Sequence, residues 1–252
     1  MLEEVERIGI GIRIRTCAGL VNHAGGLQWY DGQLKFKDAA GGAVAAAIPA
    51  ADYAKYIGEA ALRDPYLKAP YFKPQGYPAG TCRVGPLARL NVADGFGTPV
   101  ADRELAEYRQ RFGPVVHSSF HYHYARLIEL LHGLEKIERL LADPAILDTH
   151  VRSHAAVNRL EGVGMIEAPR GAIKWANLIV ATGHNNLAIN HSVGQVARHF
   201  IDGNQMKEGM LNRVSAVVRA YDPCLSCSTH ADGTPALEIA LKGPGGEVLD
   251  RL

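Results

Sequence analysis

The chain has 252 residues, 47% of them hydrophobic, enough to bury a substantial core in one large or two small domains. Lys and Arg total 27 against 26 Asp and Glu, a formal net charge of +1, so no global field points to nucleic acid or an anionic membrane. The opening Met1-Leu2-Glu3-Glu4-Val5-Glu6-Arg7 is acidic where a secretory signal is basic, and no apolar run is long enough to span a bilayer, which predicts a soluble cytoplasmic chain. Its four cysteines, Cys17, Cys82, Cys224 and Cys227, are too few for a disulfide scaffold. In a reducing compartment the close pair Cys224 and Cys227 reads as metal-binding or redox-active.

In chain order, residues 27–36 predict two short strands hairpinned around Asp31-Gly32, because Asp-Gly supplies the positive φ angles of a tight turn. A Gly/Ala-rich stretch at 39–47 follows, then a region dense in Pro, Gly and Tyr at 65–99 that predicts an extended wrapping segment. Across 115–141, Phe120, Tyr124, Leu127, Leu131, Leu134 and Leu141 recur at helical spacing and predict a long amphipathic helix. A second helix is expected at 148–160, a buried strand at 173–182, and helices at 189–201 and 208–220 separated by Gly203. A short strand at 236–241 and a Gly-Pro-Gly-Gly turn close the chain.

The last predicted helix runs into Asp222-Pro223. Pro223 has no N–H and disfavours helical geometry at Asp222, so the two cysteines are expected in a turn fixed to the end of a packed helix. A Cys-x-x-Cys turn brings two sulfurs within reach of one metal, and His230 adds a nitrogen donor three residues on. A tetrahedral zinc site needs four ligands, and Cys17 and Cys82 have no partner spacing. A thiol-redox pair sits at a helix N-terminus, whereas this pair follows a helix. A zinc or thiol-redox module, or a pair of buried structural thiols, stays open on spacing alone. His117 and His121, and likewise His150 and His154, are four apart and on one helix face would reach a common metal; core or interface hydrogen bonding is the alternative.

The full string Asp222-Pro223-Cys224-Leu225-Ser226-Cys227-Ser228-Thr229-His230 is far more specific than Cys-x-x-Cys and is similar to the C-terminal signature of [NiFe]-hydrogenase large subunits. Further matches follow in the family's order: Tyr30-Asp31-Gly32, Gly76-Tyr77-Pro78, the run 83–91, the run 112–126, and Glu167-Ala168-Pro169-Arg170-Gly171. They resemble the cytoplasmic, NAD-reducing or viologen-reducing branch. The resemblance implies an α+β fold, with a mainly helical core of antiparallel long helices and peripheral β-hairpins. It implies one incomplete large-subunit domain: an N-terminal hairpin region (1–50), an extended loop-rich segment (51–114), a helical core carrying the cysteine pair (115–230), and a cleavable C-terminal extension (231–252).

The same resemblance implies reversible oxidation of H2 at a Ni-Fe centre with CO and CN ligands. Cys224 would be a terminal thiolate on nickel and Cys227 a thiolate bridging nickel and iron. His230 would lie near a magnesium ion and mark the end of the mature chain. Arg170 would stand over the open face of the metal pair, with Asp222 as its carboxylate neighbour and Thr182 donating to a cyanide. The implied partners are the iron-sulfur small subunit of hydrogenase, a diaphorase or another electron-transfer module, and a maturation endopeptidase. The family's N-terminal Arg-x-Cys-Gly-x-Cys is missing, and Arg15-Thr16-Cys17-Ala18-Gly19-Leu20 has only its first cysteine. With two thiolates instead of four, the isolated chain is expected to be inactive. A non-catalytic structural subunit of the same fold is the alternative.

Overall fold

The computed structural model describes residues 14, 16–62, 68–149, 179–201, 203, 206–224 and 240–251. The chain opens with β1 (Thr16–Val21), β2 (Leu27–Gln28), β3 (Gln33–Asp38) and β4 (Ala43–Pro49), which pair in the order β2-β1-β3-β4. Two Asx-type turns set this order. Asn22 Oδ1 accepts from the backbone N–H groups of Ala24 and Gly26 between β1 and β2, and Asp38 Oδ1 accepts from Ala40 and Gly42 between β3 and β4. Strands do form on both sides of Asp31-Gly32, but they do not pair with each other: β1 lies between them, antiparallel to both. The expected hairpin is thus displaced, and the Gly/Ala-rich stretch supplies the turn and β4.

A helical turn, α1 (Tyr53–Tyr56), leads to the antiparallel pair β5 (Ile57–Ala60) and β6 (Ala69–Phe72), and β7 (Cys82–Arg83) then adds to β1 in parallel. The segment expected as loop-rich goes on to hold two helices, α2 (Pro86–Val92) and α3 (Pro99–Phe112). Both begin with Pro at the first position, where its missing N–H is no loss. Leu87, Ala88, Leu90, Asn91 and Val92 of α2 are all buried, so this helix shows no polar face to give it away in sequence.

The long helix α4 (His121–Leu141) starts later than expected. The residues before it are held in an irregular path by Asn91, whose side chain exchanges hydrogen bonds with the backbone N–H and C=O of Val116. Its core side is formed by His121, Tyr122, Ala125, Ile128, Glu129 and His132, while Leu127 and Leu134 of the expected apolar stripe are both 63% exposed. A 3-10 turn (Pro144–Leu147) follows, capped by the Asp143 carboxylate. The helix expected at 148–160 lies almost wholly outside the described residues.

Of the strand expected at 173–182, residues 173–178 are outside the described residues, and the rest is not strand: α5 (Ala181–Phe200) begins at Ala181. α6 (Glu208–Ala220) matches its expected span. It packs on α5 through Val196 and Val217. β8 (Ala240–Lys242) and β9 (Val248–Arg251) form a terminal hairpin. The principal core joins Cys17, Val21 and Leu27 of the sheet to side chains of α2, α3, α4 and α5, so the sheet is part of the core and not only a peripheral hairpin. Among the described residues no helix is long and apolar enough to cross a membrane.

Candidate metal centre

The cysteine turn hangs from the end of α6, and Tyr221 anchors that end. Its hydroxyl lies 2.9 Å from Ser119 Oγ and 2.9 Å from Ser192 Oγ, which are themselves 2.9 Å apart, and its ring packs 4.7 Å from that of Tyr122. These buried hydroxyls, with the Ala188 carbonyl oxygen 3.4 Å from the Tyr221 hydroxyl, tie the helix end to α5 and to the segment just before α4. Asp222 then turns the chain at φ 52°, a left-handed conformation that Asp tolerates better than most residues. Pro223 has no N–H to donate and disfavours helical geometry at Asp222, so α6 does not continue through it.

Cys224 follows, and its backbone N–H donates to Thr182 Oγ1 at 3.0 Å. Thr182 stands in the first turn of α5, which is pinned to β7 and the loop after it. Asn185 brackets Val84, accepting from its N–H and donating to its C=O. One residue earlier, His184 Nε2 lies 2.7 Å from Cys82 Sγ, both buried. Burial pushes the Cys82 thiol up and lowers His184 to about 4, so both are neutral and the thiol donates to the imidazole.

Arg126 of α4 approaches from the other side, with Nε 3.8 Å from Asp222 Oδ2 and a terminal nitrogen donating to the Ala220 carbonyl at 3.3 Å. It also lines a cavity of about 920 Å³ between the sheet and α4, along with Trp29, Tyr30, Arg89, Glu129 and His184. Three of the expected site residues, Thr182, Asp222 and Cys224, thus come together around one turn. Arg170, Cys227 and His230 lie outside the described residues.

The other expectations divide. His117 precedes α4 and its Nε2 lies 3.0 Å from the Ala39 carbonyl, whereas His121 Nδ1 lies 2.7 Å from the Tyr108 hydroxyl; each has its own partner, and they do not face a common metal. His150 and His154 are outside the described residues. Cys17 is buried in β1 with its sulfur 3.9 Å from Asn91 Nδ2, and burial holds its thiol up although Arg83 and Asn91 pull it down. A neutral buried thiol is a poor metal ligand. Sequence reading misses Arg126, Tyr221 and the Cys82–His184 pair, since no spacing signal marks contacts between residues 29 to 102 positions apart.

The Cys224 sulfur is in a disulfide, so holding a metal requires its reduction to the thiolate. Among the described residues no group of three or more His, Cys, Asp or Glu is placed to hold a metal. The described part of the turn thus offers one sulfur, that of Cys224, on a positioned backbone, and not a ligand set. Replacing Thr182 with valine removes the hydroxyl that accepts from Cys224 and is expected to cost about 1 kcal/mol locally. Amide hydrogen exchange at Cys224 should accelerate roughly five-fold, with Thr182→Ser close to the original rate.

No protein-family model matches the sequence. It is 37% identical over 215 residues to the beta subunit of the NAD-reducing hydrogenase HoxS from Cupriavidus necator, covering 79% of this chain and 44% of that protein. It is 38% identical over 248 residues to a subunit of the F420-non-reducing hydrogenase vhc from Methanococcus voltae, covering 92% of this chain and 52% of that one. The chain is a relative of hydrogenase subunits. The crystal structure of an NAD+-reducing [NiFe]-hydrogenase in the H2-reduced state superimposes with a TM-score of 0.81 at 37% identity, covering 91% of this chain and 54% of that chain. The mixed helix-and-sheet fold is thus a hydrogenase-like one, and the chain spans about half the length of the curated relatives it matches.

Proposed function

We propose that this chain is the C-terminal half of the large subunit of a [NiFe]-hydrogenase and contributes Cys224 and Cys227 to a Ni-Fe centre that a second set of thiolates completes. The observation that carries the reading is the Thr182–Cys224 hydrogen bond, which joins two residues 42 positions apart that the resemblance assigns to one site. The hydrogenase relatives support it independently. When bound, the centre would supply reversible splitting of H2, with CO and CN ligands on iron.

This chain's own residues then have positioning roles. Tyr221 and Pro223 fix where Cys224 leaves α6, Thr182 orients its backbone, and Arg126 lies 3.8 Å from Asp222 beside it. Arg170 would donate hydrogen bonds over the metal pair without competing as a base, since a guanidinium stays charged. His230 would mark a magnesium-binding, endopeptidase-cleaved end to the mature chain, with 231–252 as the removed extension. An iron-sulfur small subunit, with a diaphorase or another electron-transfer module, would carry electrons away from a cytoplasmic, soluble assembly.

Two thiolates do not make a stable Ni-Fe centre, so the isolated chain is proposed to be inactive. Metal analysis and infrared spectroscopy after anaerobic purification with reductant test the reading. Co-production with a hydrogenase N-terminal fragment carrying Arg-x-Cys-Gly-x-Cys is expected to give nickel and iron in equal amounts with cyanide and carbonyl bands. Cys224→Ser should abolish both. Zinc in place of nickel would support a zinc module, absence of metal in every preparation a structural subunit, and hydrogen isotope exchange by the chain alone would overturn its proposed inactivity.

A further inference from the structure

Tyr108 and His121 form a buried pair that the proposed metal centre does not use. Tyr108 stands near the end of α3 and is 1% exposed, and His121, the first residue of α4, is 0% exposed. The phenol oxygen lies 2.7 Å from Nδ1 of the imidazole. Phe112 packs against both rings, 5.1 Å from that of Tyr108 and 4.7 Å from that of His121, and the Tyr124 ring lies 5.0 Å from that of Tyr108. A backbone carbonyl would satisfy a buried phenol equally well. An imidazole does more, because it takes up a proton as well as accepting a hydrogen bond. Burial and the positive end of α4 both favour the neutral ring, and with its proton on Nε2 the ring presents Nδ1 as a base at the distance that proton transfer requires.

We propose that Tyr108 and His121 are a proton-coupled redox pair, which takes up one oxidising equivalent and gives it back. The inference stands apart from the proposed function and involves no nickel. A phenol yields an electron readily only when its proton leaves at the same time, since the protonated phenol radical is a very strong acid. Here one electron passes from Tyr108 to a one-electron oxidant, of the class of small radicals that partly reduced oxygen generates, and that radical is reduced by it. The O–H bond of Tyr108 breaks and an N–H bond forms at Nδ1 of His121, leaving a neutral phenoxyl beside an imidazolium. One electron from any reductant, including a soluble thiol, reverses both changes. The burial and helix end that favour the neutral ring then drive the proton back to the phenol.

Tyr124 supplies the route to the surface. Its ring lies at 32° to that of Tyr108 and is only partly buried, so an electron taken from it by an oxidant in solution is replaced from Tyr108 behind it. The vacancy settles on Tyr108, because a base at hydrogen-bond distance makes that phenol the easier of the two to oxidise. Burial then protects the product. Two exposed phenoxyls couple to each other, whereas one held beneath Phe112 and Tyr124 meets neither a second radical nor solvent. The geometry thus combines an entry, a store and a proton acceptor, all within α3 and α4.

The test photo-oxidises the full chain with a ruthenium tris-bipyridine sensitiser and persulfate and follows the phenoxyl by electron paramagnetic resonance. Expected is a long-lived phenoxyl component that Tyr108→Phe removes and Tyr30→Phe, at a 58% exposed position, leaves in place. His121→Gln keeps a hydrogen-bond acceptor but cannot take the proton, and should shorten the lifetime roughly ten-fold, the weight of one charge-assisted hydrogen bond. Tyr124→Phe should slow formation of the radical without changing its lifetime. Two measurements need no substitution and decide the matter even where a variant fails to fold. Nitrogen NMR of the resting protein should show His121 Nδ1 without a proton, and the radical of the parent should be coupled to a nitrogen-bound proton that deuterium oxide replaces. A long-lived radical that survives Tyr108→Phe overturns the proposal, as does its absence from the parent or an Nδ1 that carries the proton at rest. So does a lifetime indifferent to His121→Gln in a variant with the parent's thermal melting, and formation indifferent to Tyr124→Phe overturns the route.

Discussion

Replacing Glu129 with alanine is expected to destabilise the fold by about 3 kcal/mol, a shift of several degrees in melting temperature. The carboxylate is bidentate to Arg89, Nε to Oε1 at 2.7 Å and a terminal nitrogen to Oε2 at 2.6 Å, and joins α2 to α4 at the wall of the cavity. The side chain of Glu129 is 8% exposed and that of Arg89 is 29%, so truncation leaves a partly buried guanidinium without its partner. Two controls isolate the cause. Glu129→Gln keeps the shape and loses the charge, and should recover only part of the loss. Arg89→Met combined with Glu129→Leu removes both charges and should recover most of it, because desolvating the pair already costs much of what the pair returns. Denaturant unfolding of the four proteins separates the cost of the unpaired charge from that of the lost side chain, and equal stability of parent and Glu129→Ala would sink the assignment.

That ion pair also shows why α4 is legible in sequence as a helix but not in its orientation. The apolar periodicity of 120–141 identifies a helical segment correctly, yet the core face carries Glu129 and His132 and the solvent face carries the leucines. Periodicity reports that one face differs from the other; which face is inside depends on partners from elsewhere in the chain, here Arg89 and Thr98. The same limit hides α2, whose buried residues cover nearly the whole helix, and the insertion of β1 between β2 and β3, since strand order is set by long-range pairing and not by the Asp31-Gly32 turn. α6 is legible to the residue because Gly203 precedes it and Pro223 enforces its end.

The candidate site is legible through its punctuation and its motif. Asp222-Pro223 predicts a turn fixed to a helix, and the structure puts a left-handed Asp222 and a hydrogen-bonded Cys224 there. Thr182, expected on a strand, stands in the first turn of α5, where a hydroxyl also reaches the cysteine turn. The hydroxyl set of Ser119, Ser192 and Tyr221 that holds the turn in place is not legible, because its members are ordinary core positions in sequence and become a unit only when α4, α5 and α6 meet.

The pair beneath that turn gives the fold a pH dependence of predictable sign. His184 is buried, and desolvation lowers it to about 4 from an ordinary 6.5, so the folded state holds it neutral where the unfolded chain would protonate it. Between these values the unfolded state binds more protons, and stability rises with pH. The contribution of His184 is complete above about pH 6.5. It is lost as the pH falls toward 4, in total about 3 kcal/mol at 1.36 kcal/mol per unit. Burial lowers His132 and His123 as well, which adds to the loss in the same direction, so the measurement has to be a difference. His184→Gln keeps an acceptor for the Cys82 thiol and removes the titration. Unfolding free energies of parent and variant taken from pH 7.5 to 4.5 should diverge as the pH drops, the parent falling more steeply; parallel profiles would mean that the imidazole takes up its proton as readily in the fold as in the unfolded chain, and that the 2.7 Å contact with Cys82 does not hold the ring neutral.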